Sequence, residues 1–313
     1  MQDQPEDVNA ATDSRVVERA RDALLDLIGR PLEPGLYLVA TPIGNLGDIS
    51  LRALAVLARA DLIAAEDTRH SRKLLSHFGI GAELTAYHEH NAARMRPRLL
   101  SRIRAGCVVA LISDAGTPLI SDPGYKLVRE ALDAGLKVVS LPGPSAVLAA
   151  LTSVGLPTDT FLFAGFLPPK SGPRRTRLAE LKTVPATLVL YESASRLPKS
   201  LADMAAVLGP REAAVAKELT KLHEGVTRGR LDGLAAELAG GEELRGEFVV
   251  VVGPPTAEEA EVGEEAVAAA LELALDVESF RDAVRSVAER LGVKRSRVYD
   301  IGLTLDRAKR DER

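Results

Sequence analysis

From Gly35 onward the chain alternates short apolar runs with longer helical segments, and no other feature restricts the fold as much. The runs LYLVA (36–40), DLIAA (61–65), ELTAY (83–87), VVALI (108–112) and KVVSL (137–141) are separated by helical stretches at 51–60, 71–78, 92–105 and 125–134. Apolar strands bounded by helices predict a mostly parallel sheet covered on both faces. In such sheets ligands gather beyond the carboxyl ends of the strands, so the polar loops after them are where chemistry is expected.

The rhythm changes near 156–165. The next runs, FLFAGF (161–166), ATLVLY (186–191), AAVAKEL (213–219), GVTRGR (225–230) and EFVVVV (247–252), have several shorter connections, which suggests a mixed sheet. Past Pro254 the charge pattern shifts again: 257–279 holds eight acids and no base, and 289–313 eight bases and five acids, both with helical periodicity. A small appended element of three helices is expected there. At the other end, residues 1–14 carry four acids and no base and read as a disordered tail, with an amphipathic helix from Ser14 to Gly29 stopped by Pro31 and Pro34. The expected organisation is an extension at 1–34, an α/β domain at 35–155, a second α/β domain at 156–254 and a helical element at 255–313; a length of 313 residues suits two main domains.

With 46% apolar and 27% charged residues the chain has the composition of a globular protein, which excludes fibrous and wholly disordered readings. Its net charge of −4 gives no bulk reason to bind nucleic acid, so local patches must carry any RNA affinity. Two exist. Residues 91–106 hold Arg94, Arg96, Arg98, Arg102 and Arg104 with no acid, and residues 170–182 hold Lys170, Arg174, Arg175, Arg177 and Lys182 against Glu180 alone. Either patch is equally readable as a solvated helix face. The single Cys107 forms no intramolecular disulfide, which suits a reducing compartment, and no set of residues has the spacing of a metal site. No apolar run reaches the length of a membrane span, and the N-terminus is unlike a secretory signal; a cytoplasmic protein is expected.

Four loops after predicted strands could carry chemistry. ATPIGNLGDIS (40–50) has glycines for close backbone approach and precedes a helix, but lacks the spacing of a dinucleotide or phosphate fingerprint. AEDTRHSRKLL (65–75) packs charges of both signs, readable as a catalytic cluster or as a helix start capped by Asp67. YHEHN (87–91) offers a base or hydrogen bonds. ISDAGTPLISDPG (112–124) exposes a hydroxyl and a carboxylate in a loop stiffened by two prolines, which suits a ligand floor. LPGPSAVLAAL (141–151) then turns the chain into an apolar helix whose first N–H groups are available to a ligand.

Taken together, TPIGNLGDIS, AEDTRHSRKLL, YHEHN, LISDAGTPLISDPG, LPGPSA, GFLPPK and ESASR resemble, in that order, the motifs of the small-subunit ribosomal RNA methyltransferase I family within the tetrapyrrole methylase superfamily. The resemblance spans about residues 35–252. It implies two α/β domains with S-adenosylmethionine in the cleft between them, a homodimer, and methylation of the 2′-hydroxyl of a cytidine in the decoding region of 16S rRNA. It also implies donor-facing roles for Pro42, Ser113, Asp114, Thr117, Ser145, Ala146, Glu192 and Leu219. The chain departs from the family pattern at Ala194 and Ser195, where members commonly carry Pro and His, and at Lys217, where they carry Arg.

The donor's sulfonium already activates the methyl group, so the protein must chiefly position it and accept a proton from the ribose hydroxyl. Glu66, Asp67, His88 and Glu89 are the candidate catalytic groups. Arg94, Arg98, Lys170, Arg174, Arg175 and Arg177 are the candidate RNA contacts, with the basic C-terminal helix as a third patch. Two other readings remain open at this stage. A small-molecule tetrapyrrole methylase is disfavoured by the first loop and the arginine patches, and a non-catalytic ribosome assembly factor is disfavoured by the complete SDAGTP loop.

Overall fold

The computed structural model of the chain describes residues 6–240, 244–256, 264–291 and 293–311. A long helix, α1 (Glu6–Gly29), precedes the strand β1 (Gly35–Val39). The expected tail over 1–14 is corrected: the helix starts at Glu6, not Ser14, and residues 1–5 of that tail lie outside the described residues. The chain then runs through α2 (Leu51–Arg59), β2 (Leu62–Ala65), α3 (Thr68–His77), β3 (Leu84–Ala86), α4 (Ala92–Arg104), β4 (Val108–Ile112), α5 (Tyr125–Asp133), β5 (Val138–Leu141) and α6 (Ala146–Val154). Helix α1 packs on α2, and Arg59 donates to the carbonyl of Ile28.

The five strands form one parallel sheet in the order β3-β2-β4-β1-β5, with Leu36 beside Val109 and Val138. Alternate side chains point to opposite faces. Tyr37, Val39, Ile63, Ala65, Ala110 and Ile112 pack under α2 and α3 through Val56, Leu57, Leu74 and Leu75. Leu36, Leu38, Leu62, Ala64, Val109 and Leu111 pack under α4 and α5 through Leu99, Ile103, Leu127 and Ala131. Burial on both faces explains why these strands read as continuous apolar runs, and each fully buried leucine such as Leu57 contributes about 2–3 kcal/mol.

The second sheet uses β6 (Phe161–Phe166), β7 (Thr187–Ser193), β8 (Glu212–Lys217), β9 (Gly225–Arg230) and β10 (Glu247–Val252), in the mixed order β6-β7-β10-β8-β9. Helices α7 (Ser171–Leu181), α8 (Leu197–Leu208) and α9 (Leu231–Ala239) make three of its connections, and the short one from β8 to β9 is among those the sequence suggested. Helices α10 (Glu264–Leu275), α11 (Phe280–Leu291) and α12 (Arg295–Asp311) pack on one another around Val267, Leu271, Val284, Val287 and Val298. The chain divides into two compact units. The first runs to Val154 and also takes Ala216–Val226 and Gly246–Val249; the second takes Gly155–Val215, Thr227–Arg245 and the chain from Val250.

Candidate active site

In the first sheet β1 and β4 are neighbours, yet β1 leads into α2 on one face while β4 leads towards α5 on the other. Adjacent parallel strands whose connections diverge leave a crevice beyond their carboxyl ends. The loops that follow β1 and β4 fill its walls. Thr41 and Gly116 exchange two backbone hydrogen bonds, each 2.9 Å, as an isolated antiparallel bridge. The Thr41 hydroxyl donates to the Ser113 carbonyl at 3.1 Å, and the Ser113 hydroxyl donates to the Gly116 carbonyl at 3.2 Å. Thr117 Oγ1 donates to the Pro144 carbonyl at 3.2 Å, which ties the same loop to the turn before Ser145 and Ala146. Gly116 holds φ at +81°, a left-handed conformation that glycine adopts without strain. Of the donor-facing residues implied by the resemblance, Pro42, Ser113, Asp114, Thr117, Ser145 and Ala146 are thus carried on three mutually bonded loops.

A cleft of about 360 Å³ opens in this unit, within the range of small-ligand pockets. Pro42, Gly44, Ser113 and Asp114 line it, together with residues the sequence reading did not assign to the donor: His70, Ser71, Lys73, Lys221 and Glu247. The last two come from segments distant in sequence and left no local signal. Lys221 bridges Glu218 and Glu247, each at 2.9 Å. Burial works against its charge, but the two carboxylates outweigh that and raise its pKa. Leu219, the remaining donor-facing candidate of this unit, is buried between Glu218 at φ +48° and Thr220 at φ +66°, two strained positions. Gly44 makes this packing possible, because a Cβ there would lie 2.3 Å from Lys221 Cγ and 3.0 Å from Thr220 Oγ1.

Carboxylates converge at the same strand ends. Asp114 Oδ1 accepts from the Asp67 amide at 3.0 Å. The pKa of Glu66 is raised by burial and by Asp114, with His88 opposing. Asp122 is raised to about 6 by burial and then by Glu66, against a hydrogen bond from Ser113, with Asp114 adding to the rise. Asp122 is a further member of this cluster, just before α5, which begins after Gly124 with no side-chain cap. Asp67 differs from its neighbours: it caps α3 through the Arg69 amide at 2.8 Å, and the Arg69 guanidinium holds its pKa down to about 2. That arrangement is the capped helix start, and a carboxylate so held is a poor proton acceptor at neutral pH. His88 Nδ1 is buried with no hydrogen-bond partner among the described residues, while Glu89 is exposed.

The remaining residues singled out in the sequence have separate settings. Glu192 lies in the second unit, buried, where its carboxylate accepts from the Ser200 hydroxyl and from the Ser193 amide at 2.9 Å and pairs with Arg196 at 3.2 Å. On α4, Arg94 and Arg98 are exposed, whereas Arg96 pairs with Glu130 and Arg102 with Glu83. Lys170, just before α7, is exposed, as are Arg175 and Arg177 on the helix, which pair with Asp203 at 2.6 Å and Glu180 at 2.7 Å. Arg174 needs correction as a surface contact: it is 3% exposed, with its guanidinium on Asp203 at 2.7 Å and on the Pro169 carbonyl at 3.1 Å. Its position one turn from Lys170 turns it inward, where it anchors the preceding loop rather than facing a polymer.

A family model described as tetrapyrrole (corrin/porphyrin) methylases matches residues 35–235. The chain belongs to the tetrapyrrole methylase family. It is 59% identical over 233 residues to "Ribosomal RNA small subunit methyltransferase I" of Mesorhizobium japonicum, covering 74% of this chain and 79% of the relative. The protein of that name from Escherichia coli O157:H7 is 46% identical over 270 residues, covering 86% and 94%. Among solved structures, diphthine synthase superposes with a TM-score of 0.55 at 19% identity, covering 70% of this chain and 89% of that one. Cobalt precorrin-4 methyltransferase gives 0.53 at 20%, covering 70% and 94%. Both show the same fold.

As a tetrapyrrole methylase the protein is a methyltransferase whose donor is S-adenosylmethionine. The first unit suits such a molecule. Ser71 lines the cleft, and its buried hydroxyl has no hydrogen-bond partner among the described residues. Asp114 in the lining favours a cationic sulfonium and an ammonium, while Lys73 favours a carboxylate. Among the described residues no cluster of His, Cys, Asp or Glu could hold a metal ion, and no helix is long and apolar enough to cross a membrane.

Proposed function

We propose that this protein transfers the methyl group of S-adenosylmethionine to the 2′-hydroxyl of a cytidine in the decoding region of 16S rRNA, acting in the cytoplasm as a homodimer on the small ribosomal subunit. The observation that carries the substrate is the likeness, at 46–59% identity over most of the chain, to relatives named for methylating small-subunit rRNA. Exposed cations on α4 and α7 support a polymeric anion as substrate, with Arg94, Arg98, Lys170, Arg175 and Arg177 contacting phosphates.

The donor rests on Pro42, Ser113, Asp114, Thr117, Ser145, Ala146 and Leu219 in the first unit, with Glu192 of the second unit fixing the chain around Ser193 and Arg196. When bound it supplies the activated methyl group. Glu66 is the proton acceptor: burial and the Asp114 charge raise its basicity, and an acceptor is most useful when its pKa approaches the working pH. His88 opposes that rise and so tempers the basicity of Glu66. Asp67 holds Asp114 through its amide, and Glu89 stands at the exposed edge of the same loop.

Tritium transfer from labelled S-adenosylmethionine to 30S subunits lacking their methylations, followed by nucleotide mapping, tests this reading. Label on one ribose of 16S rRNA is expected. Label on a base, or none with the donor bound, would overturn it.

A further inference from the structure

The chain has six phenylalanines, five tyrosines and no tryptophan, yet three of the phenylalanines and one tyrosine lie on the neighbouring strands β6 and β7. In a regular strand Phe163 and Phe166, three residues apart, would point to opposite faces. Here the pairing of β6 with β7 slips between Phe163 and Gly165, with Gly165 at φ +66°. A bulge of this kind re-aims the side chain that follows it. Phe166 is thereby set beside Tyr191, its partner in register, with ring centroids 5.5 Å apart, and Phe163 meets the same Tyr191 ring at 4.8 Å. The cluster is not sealed: Phe166 remains 55% exposed at the end of an edge strand.

The bulge gives up regular ladder pairing and turns the ring outward, where a covering group would gain its burial. The surroundings say what kind of occupant. The loop that follows Phe166 is fixed by Arg174 on the carbonyl of Pro169 and by Arg196 on that of Leu167. It ends at exposed Lys170, four residues and so at most ~14 Å of chain from Phe166. Arg175 and Arg177 follow on α7, exposed, the first paired with Asp203 at 2.6 Å and the second with Glu180 at 2.7 Å. A flat aromatic face next to Lys170 and two arginines in exposed ion pairs fits an unstacked base whose flanking phosphates need neutralising, since a phosphate can share or displace a solvated pair that is worth little.

We infer that Phe166 and Tyr191, backed by Phe163, form a stacking platform for an unpaired base of the RNA substrate, with Lys170, Arg175 and Arg177 on the adjoining phosphates. This rests on the rRNA methyltransferase reading and adds a base-recognition subsite to it. The platform holds the strand and takes no part in proton or methyl transfer.

The test uses the full-length protein with two substrates. One is 30S subunits. The other is a set of single-stranded oligoribonucleotides of decoding-region sequence, each carrying 2-aminopurine at one position. Phe166→Ala is expected to raise KM for 30S subunits about tenfold, the loss of one stacked base, with kcat and donor affinity unchanged. It is also expected to abolish quenching of the 2-aminopurine that wild type quenches. Phe166→Tyr restores both, and Phe166→Leu, apolar but not aromatic, restores neither. Unchanged KM in Phe166→Ala beside an active wild type would overturn the platform alone; if the oligoribonucleotides are not bound, the KM series decides by itself. Dissociation of a dimer on Phe166→Ala would overturn it in favour of a second copy covering the face. A wild type that methylates no RNA would overturn the functional reading and the platform with it.

Discussion

The strand ends of the two sheets solve different problems with different residues. In the first unit the loops after β1 and β4 are bonded to each other, held at strained or left-handed positions, and crowded with carboxylates whose proton affinity is raised. In the second unit the ends of β6 and β7 present aromatic rings and cations to solvent, with their carboxylates, Glu192 and Asp203, turned inward to hold arginines. A small donor needs a preformed floor that fixes each of its groups. A polymer needs positive charge and flat faces that tolerate a moving chain. The contrast teaches that charge alone does not mark a contact: Arg174 and Arg177 share α7, yet one is structural and the other available.

The largest effect separates those two arginines. Arg174→Ala leaves buried Asp203 with Arg175 and Ser171 alone and frees the Pro169 carbonyl, and is expected to destabilise the fold by about 3 kcal/mol, read in urea unfolding. Arg177→Ala, whose exposed pair with Glu180 is worth little, changes stability by less than about 0.5 kcal/mol. Next comes the floor. Asp114→Ala removes both a carboxylate of the cleft and the acceptor for the Asp67 amide, and donor affinity in calorimetry falls by about 2–3 kcal/mol, or 30- to 150-fold. Equal donor affinity in this variant would break the comparison at its first term.

Gly44→Ala drives a Cβ into Lys221, which two carboxylates pin in place, so about 1–3 kcal/mol of stability is lost and donor affinity falls with it. Asp122 gives the smallest effect, and a signed one. Its folded pKa of about 6 lies above its ordinary value of 3.8, so the folded chain holds that proton more tightly than the unfolded chain does. The stabilisation is complete below about pH 4 and is lost as pH rises through 6. Two pKa units correspond to about 3 kcal/mol, and partial solvation halves this to about 1–1.5 kcal/mol. Asp122→Asn is therefore expected to gain that amount on wild type at pH 7.5 and nothing at pH 4, in unfolding titrations at both values.

Much of this was legible in the sequence because burial on both faces of a parallel sheet writes continuous apolar runs. VVALI at 108–112 is the strand β4 residue for residue, and the three C-terminal helices followed from periodicity. The loops of the first unit were equally visible, since TPIGNLGDIS and SDAGTPLISDPG interrupt those runs with residues no strand would carry. Lys221, Glu247 and Ser71 were not visible as site residues, because long-range packing brings them to the cleft and nothing local distinguishes Lys221 from any surface lysine. Arg174 misled for the same reason: counting charges along a helix does not say which face is buried. Helix α1 starts at Glu6, eight residues before Ser14, where the amphipathic pattern begins, so the composition of that stretch does not reveal its helical backbone.

The division between a donor floor and a polymer face is tested most directly by titrating two variants with both ligands. Asp114→Ala is predicted to lose S-adenosylmethionine affinity while binding 30S subunits as wild type does. Lys170→Glu combined with Arg177→Glu is predicted to bind the donor normally, to bind 30S subunits more weakly, and to show a shallower salt dependence. Loss of both ligands by both variants, or normal 30S binding with an unchanged salt slope in the double variant, would contradict the account.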